Sequence, residues 1–217
     1  MSAPREIKID FVSDVVCPWC AIGLTALEQA VARIGDGLRV EWHFQPFELN
    51  PQMAPEGEDI VEHLSHKYGS TPEQIRATQE AIRARGEALG FTFNMGLRQR
   101  TYNTFDAHRL LHWAGEVGGQ RALKHALLAA YFTRGENPSS HEVLRRAAAE
   151  AGLDPAAAGE VLASEAFADE VHERERFYLA QGIHGVPAVI VDDRHLIQGG
   201  QPVEVFEQAL RQIAAAS

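Results

Sequence analysis

The 217-residue sequence holds two cysteines, and they stand three positions apart in Cys17-Pro18-Trp19-Cys20. A thiol pair at that spacing can close a disulfide across one helical turn, and the residues after Cys20 read as a helix. At a helix N-terminus the free backbone N–H groups and the macrodipole favour an anion, so Cys17 is expected to ionise readily. Such pairs have first-cysteine pKa values of roughly 3.5 to 7, depending on the two residues between them. Pro18 suits the first helical position because it has no N–H to lose. The chemistry this implies is exchange: Cys17 attacks a disulfide, and Cys20 resolves the mixed disulfide. Cys17 is expected to be the exposed thiol, with Cys20 turned towards the packed face.

Other uses of the pair fit less well. A zinc site would need histidines to complete it, since no further cysteines exist. His63 and His66, or His108 and His112, have helical spacing, but ten histidines make such spacings common. An inert disulfide closing so short a loop would constrain little. No phosphate-cradling GxxxxGK loop, GxSxG elbow or dinucleotide GxGxxG is present. No metal or organic cofactor is expected.

The elements that must position the pair can be read from periodicity. Ile7, Ile9 and Phe11 alternate with Lys8, Asp10 and Val12, which predicts a strand. Leu24, Leu27, Val31 and Ile34 form one helical stripe that Gly35 and Gly37 stop. Leu38, Val40, Trp42 and Phe44 alternate again, so the first fifty residues spell β-α-β with the cysteines at the strand-to-helix junction. Residues 56–182 read almost wholly as helix. Thr71-Pro72 with Gln74 and Ser139 with Glu142 are predicted capping boxes, Asn103 a cap, and Asp154-Pro155 a helix start. A last helix of this block carries Phe167, Val171 and Phe177. Then Val186–Val191 and His195–Gln198 predict a hairpin across Asp192-Asp193, and Val203, Phe206, Leu210 and Ile213 predict a closing helix. The expectation is an α/β chain: a mixed four-stranded sheet from residues 1–50 and 183–217, with residues 51–182 inserted as a helical block.

Acidic residues outnumber basic ones, 30 to 20, for a formal net charge of −10. Nucleic acid and anionic membranes are therefore poor partners; Arg98 and Arg100 are close together, but no basic run occurs. Met1–Asp10 has no apolar stretch of signal-peptide length, and no segment approaches a membrane span. A cytoplasmic protein is expected.

Several segments resemble the DsbA-like branch of the thioredoxin superfamily, and within it the FrnE-like subgroup. They are Phe11–Cys20, ending in CPWC; Asn103–Leu110; Gly185-Val186-Pro187; and Gly199–Pro202. The resemblance implies a thioredoxin fold and a thiol–disulfide oxidoreductase acting on protein thiols, with glutathione admissible as a co-substrate. It implies a cis Pro187 facing the disulfide, with Pro18, Trp19 and Val186 contacting an extended substrate chain. It further implies a buried acid on the first strand, here Asp10, as proton acceptor for Cys20. The segment from Asp10 to Cys17 is one residue longer than in DsbA, which puts that role in doubt. Asn103 and His108 are expected to be a helix cap and an interior or surface histidine, or else to line the cleft. The same architecture resembles glutathione-using 2-hydroxychromene-2-carboxylate isomerases and kappa-class transferases, which carry serine in place of Cys17. A scaffold without catalysis would be expected to have lost the CxxC, which is intact here.

Overall fold

In the computed structural model, which describes residues 4–216, the alternating apolar positions Ile7, Ile9 and Phe11 form strand β1 (Arg5–Ser13). Residues 1–3 and 217 lie outside the described part. The chain turns at Asp14–Val16 and enters helix α1 (Pro18–Ile34), which buries Cys20, Leu24 and Leu27. It returns as β2 (Leu38–Pro46), parallel to β1 in register from Arg5 opposite Leu38 to Ser13 opposite Pro46. Much later come β5 (Ala188–Val191) and β6 (His195–Gln198). Asp192 and Asp193 make the hairpin turn with φ of 51° and 55°, and Asp192 accepts the Lys8 backbone N–H at 2.9 Å. The sheet order is β2-β1-β5-β6, with β5 antiparallel to both its neighbours. Helix α9 (Val203–Ala215) lays its buried Val203, Phe206, Leu210 and Ile213 against α1.

Between the sheet halves run α2 (Ile60–Tyr68), α3 (Pro72–Ala88), α4 (Phe105–Val117), α5 (Gln120–Leu128), α6 (His141–Glu150), α7 (Pro155–Leu162) and α8 (Ala168–Ala180). The block is less purely helical than its sequence suggests. Two-residue strands β3 (Glu58–Asp59) and β4 (Arg100–Thr101) pair antiparallel and tie α2 to the loop before α4. The Thr71–Gln74 capping box forms, and Asp154 caps α7 through the Ala156 N–H. Ser139 makes no box with Glu142: α6 starts at His141, Ser140 sits at its cap, and Ser139 Oγ donates to the Asn103 carbonyl instead. Phe167 is not a helix residue either; at φ 63° it precedes α8, whose buried face is Val171 and Tyr178 while Phe177 is 49% exposed.

The edge strand β2 is covered by the block. Gln120, at the start of α5, donates from Nε2 to the Phe44 carbonyl (3.1 Å) and accepts the Phe44 N–H at Oε1 (2.9 Å). One side chain thus replaces the missing strand neighbour at that residue, where an unpaired buried backbone would be costly. The same contact fixes α5 against the sheet.

Candidate active site

Cys17 is the N-cap of α1, in extended conformation, and its sulfur accepts the Cys20 backbone N–H at 3.3 Å. Pro18 follows at the first helical position. Cys20 lies one turn on and is wholly buried. Cys17 is not the exposed thiol that its motif suggests: it is only 4% exposed, because the helical block closes over it. What remains open is a cavity of about 350 Å³ that Cys17 lines with Trp19, Val186, Ile60, Lys67 and Tyr68. Lys67 Nζ donates to the Leu49 carbonyl (2.7 Å) and Asn50 Oδ1 (2.6 Å) at its wall.

Three backbones converge on the thiols. The Val186–Pro187 peptide is cis, and the Val186 carbonyl lies 3.8 Å from Cys17 Sγ. The Pro187 carbonyl accepts the Gly199 N–H at 2.8 Å, which draws the Gly199-Gly200 loop alongside. A Cβ on Gly23 of α1 would sit 3.0 Å from Pro187 Cγ and 3.2 Å from Gly200 Cα; one on Gly200 would sit 2.9 Å from the Trp19 carbonyl oxygen. Real Cβ atoms do not approach that closely without displacing a neighbour, so glycine is what lets helix, proline loop and turn meet. Arg85 from α3 covers the rim, donating to the Gly200 carbonyl (2.6 Å) with its guanidinium 5.4 Å from the Trp19 ring centroid.

Asp10 is buried, but it is not beside Cys20. It belongs to the face of β1 opposite Ile9 and Phe11, because successive strand residues point to opposite faces. There it pairs with Lys8 (3.0 Å) and accepts from Gln45 Nε2 (2.6 Å). Burial and the Asp10 charge push the Tyr178 hydroxyl above the ordinary tyrosine range. The carboxylate on the cysteine side is Asp14, in a loop that no periodicity marks. It is fully buried and accepts the Leu49 N–H at 2.8 Å. His108 from α4, 2% exposed, brings Nε2 to 3.4 Å from Asp14 Oδ1. That approach is too oblique for a hydrogen bond, and neither atom has another partner among the described residues. Burial works against the Asp14 anion, yet His108, Leu49 and Thr104 outweigh it and hold the carboxyl below its ordinary range.

His108 is therefore an interior histidine facing a carboxylate; the cap of α4 is Thr104, and Asn103 stands one residue before it, its Oδ1 accepting the Phe105 N–H at 2.9 Å. Asn103 also reaches Glu48 (3.4 Å). Burial, then the charges of Glu175 and Asp14, push the Glu48 carboxyl up to about 8. Lys124 of α5 completes the set: it is fully enclosed, and no motif in the sequence points to it. Burial pushes the Cys20 thiol well up, Cys17 pushes it further, and Lys124 pulls the other way. Among the described residues no group of three or more His, Cys, Asp and Glu is arranged to hold a metal. His63 and His66 both turn to Glu58, whereas His108 faces Asp14 and His112 packs on the Phe167 ring.

The family model of the DSBA-like thioredoxin domain matches residues 8–211, a span that takes in the cysteine pair, the helical block and the proline loop. The chain belongs to the DSBA-like thioredoxin domain family. Its four-stranded mixed sheet with flanking helices is the thioredoxin-like DsbA fold. Among solved structures of this kind, the probable DsbA oxidoreductase SCO1869 from Streptomyces coelicolor superposes with a TM-score of 0.86 at 36% identity, over 97% of this chain and 91% of that one. The uncharacterized protein YwbO of Bacillus subtilis (strain 168) is 28% identical over 205 residues, 94% of this chain and 96% of YwbO. The cytosolic disulfide reductase DsbM from Pseudomonas aeruginosa, solved with GSH, shares the fold at a TM-score of 0.63 and 19% identity, over 94% of this chain and 98% of DsbM. In this DsbA-like chain, no helix among the described residues is long and apolar enough to cross a membrane.

Proposed function

We propose that the chain catalyses thiol–disulfide exchange on protein substrates, with Cys17 as nucleophile and Cys20 as resolving thiol. The observation that carries this reading is Cys17 at the α1 N-cap, receiving the Cys20 N–H and facing the Val186 carbonyl at the end of the cavity. In the reducing direction the Cys17 thiolate attacks one sulfur of a substrate disulfide. A Cys17–substrate disulfide forms, and the other substrate sulfur leaves as a thiolate. Cys20 then gives up its proton and attacks Cys17 Sγ. The internal disulfide forms, the second substrate sulfur departs, and two electrons have passed to the substrate. Oxidation of substrate thiols is the same path reversed. Val186, next to the nucleophile, would pair its backbone with an extended substrate chain, while Trp19 and Pro18 supply apolar contact at the rim.

Glutathione as co-substrate is the second reading, supported by the cavity beside Cys17 and by the Lys67 ammonium at its wall. In that form the chain would be a glutathione-dependent isomerase or transferase of small molecules.

One experiment separates them: equilibrate the protein in graded mixtures of reduced and oxidised glutathione, then alkylate and weigh it. A reversible two-electron conversion between dithiol and a Cys17–Cys20 disulfide is expected. A stable glutathione adduct on Cys17, or an inert thiol, would sink the exchange reading and bring the second forward.

A further inference from the structure

Arg98 and Arg100 stand two positions apart and go separate ways. Arg100 turns to the loop before α2, donating to the Glu56 (3.1 Å) and Gly57 (2.8 Å) carbonyls. Arg98 turns inward and is only 6% exposed. Arginine is seldom buried without an acid to pair with it, yet Arg98 forms no ion pair among the described residues. Its guanidinium is held by other means. Nε donates to Tyr131 Oη (3.1 Å), Nη1 approaches Met95 Sδ (3.8 Å), and the Phe132 ring centroid lies 5.4 Å away. Tyr131 in turn donates to the Arg100 carbonyl at 2.9 Å, so the group that holds Arg98 is itself fixed.

Arg98 Nη2 makes no hydrogen bond among the described residues, and neither does the hydroxyl of buried Thr101 on β4. Neither atom is closed off from open space. Both residues line the cavity that Cys17 also lines. No aspartate or glutamate among the described residues lines it, in a chain whose formal net charge is −10. Lys67 adds a second cation, whose Nζ is bonded to a carbonyl and an amide oxygen and to no carboxylate. His63, also on the wall, is already paired with Glu58 at 2.8 Å. The cavity therefore holds a buried, rigid, positively charged fork with one arm unused.

From this placement we infer that Arg98 and Thr101 receive a carboxylate of a small disulfide whose sulfur meets Cys17 in the same cavity. A guanidinium matches the planar geometry of a carboxylate, and the Thr101 hydroxyl supplies one more donor. Ile60, Leu64 and Ile75 wall the space in which the carbon chain between the two groups would lie. The inference rests on the exchange reading above and names a low-mass, carboxylate-bearing disulfide as a substrate class. At about 350 Å³ the cavity falls at the lower end of the range for small-ligand sites, and Cys17, 4% exposed, opens into it. The Cys17 thiolate attacks one sulfur of the disulfide. The bond between its two sulfurs breaks, and the other half leaves as a thiolate with the electron pair. The half now joined to Cys17 keeps its carboxylate on Arg98.

The test compares dithiodipropionic acid with its diamide, which has nearly the same shape and no charge. Reduced protein is mixed with each, alkylated at intervals and weighed, and the loss of the dithiol form gives the rate. Each rate is divided by that of a free thiol with the same disulfide, which removes intrinsic reactivity. The parent is expected to favour the diacid. In R98M the diacid rate is expected to fall about 10- to 100-fold, the scale of a lost hydrogen bond to a charged group, with the diamide rate changed less than about twofold. No preference for the diacid in the parent overturns the inference. So does an unchanged diacid rate in folded R98M, or an equal fall for both disulfides. Should R98M not fold, C17A decides, since it keeps Arg98 and lacks the nucleophile. Its Arg98 Nε–H, followed by nitrogen NMR, is expected to shift with the diacid and not with the diamide. No shift, or the same shift with both, overturns the inference. If the parent reacts with neither disulfide while the C17A signal responds to the diacid alone, the carboxylate site stands and the exchange reading fails.

Discussion

Asp10 and Asp14 are two buried carboxylates four residues apart, and the chain treats them in opposite ways. Asp10 sits on β1 among groups that satisfy it: the Lys8 ammonium and the Gln45 amide. Asp14 lies just past the strand, where the backbone turns towards α1. One of its oxygens accepts from Leu49, while the other faces His108 without a proper hydrogen bond. The contrast teaches that burial alone does not mark a working acid. A fully partnered carboxylate stabilises the sheet; Asp14 keeps one oxygen without a hydrogen-bond partner, facing a buried histidine.

The sharpest way to break this contrast is Asp14→Ala. Removing a fully buried carboxylate leaves a void and strips the Leu49 N–H of its acceptor, so a loss of about 2–4 kcal/mol is expected in urea unfolding at pH 7. A cost no larger than that of Asp10→Ala would erase the distinction. Because the folded Asp14 carboxyl lies below its ordinary range, its contribution is complete above pH ~4 and drains away as pH falls further. Unfolding of parent and Asp14→Asn, compared from pH 2 to 7, should therefore converge at the acid end.

Glu48 gives the next largest effect, with opposite sign. Its folded value of about 8 lies above that of the unfolded chain, so the parent loses stability as pH rises from 4.5 to about 8. Glu48→Gln should match the parent at pH 5 and exceed it at pH 9 by on the order of 1–3 kcal/mol, discounted for partial exposure. Parallel stability curves for the two proteins would contradict the raised Glu48.

Asp10→Asn is the mildest. It loses the ion pair to a one-third-exposed Lys8 but keeps an acceptor for Gln45. About 1 kcal/mol is expected, with the glutathione midpoint of the cysteine pair unmoved. A shifted midpoint would return Asp10 to the site.

The sheet is legible in the sequence because its signals are periodic. Ile7, Ile9 and Phe11 alternate, and Val203, Phe206, Leu210 and Ile213 recur at helical spacing. The cysteine pair at the start of α1 is legible because two cysteines flank Pro-Trp before an apolar helix. The polar floor of the site is not. Lys124 adjoins the apolar stripe Leu123, Leu127 and Tyr131 and reads as its solvated flank; only its burial in the folded chain shows that it is enclosed. Asp14 is one of several acids near the motif, and its importance comes from Leu49 and His108, distant in sequence. The ladder of β3 and β4 is two residues long, too short for any alternation to announce it.

The narrow gap at Gly23 limits how this protein can be improved. Replacing a mid-helix glycine by alanine is a routine route to a sturdier helix, with a gain of about 0.5–1 kcal/mol where the site has room. Here the added methyl would meet the Pro187 ring and the Gly200 backbone at once. A thermostabilised version would have to seek its gains elsewhere, since this position sets how closely helix α1 and the proline loop can approach.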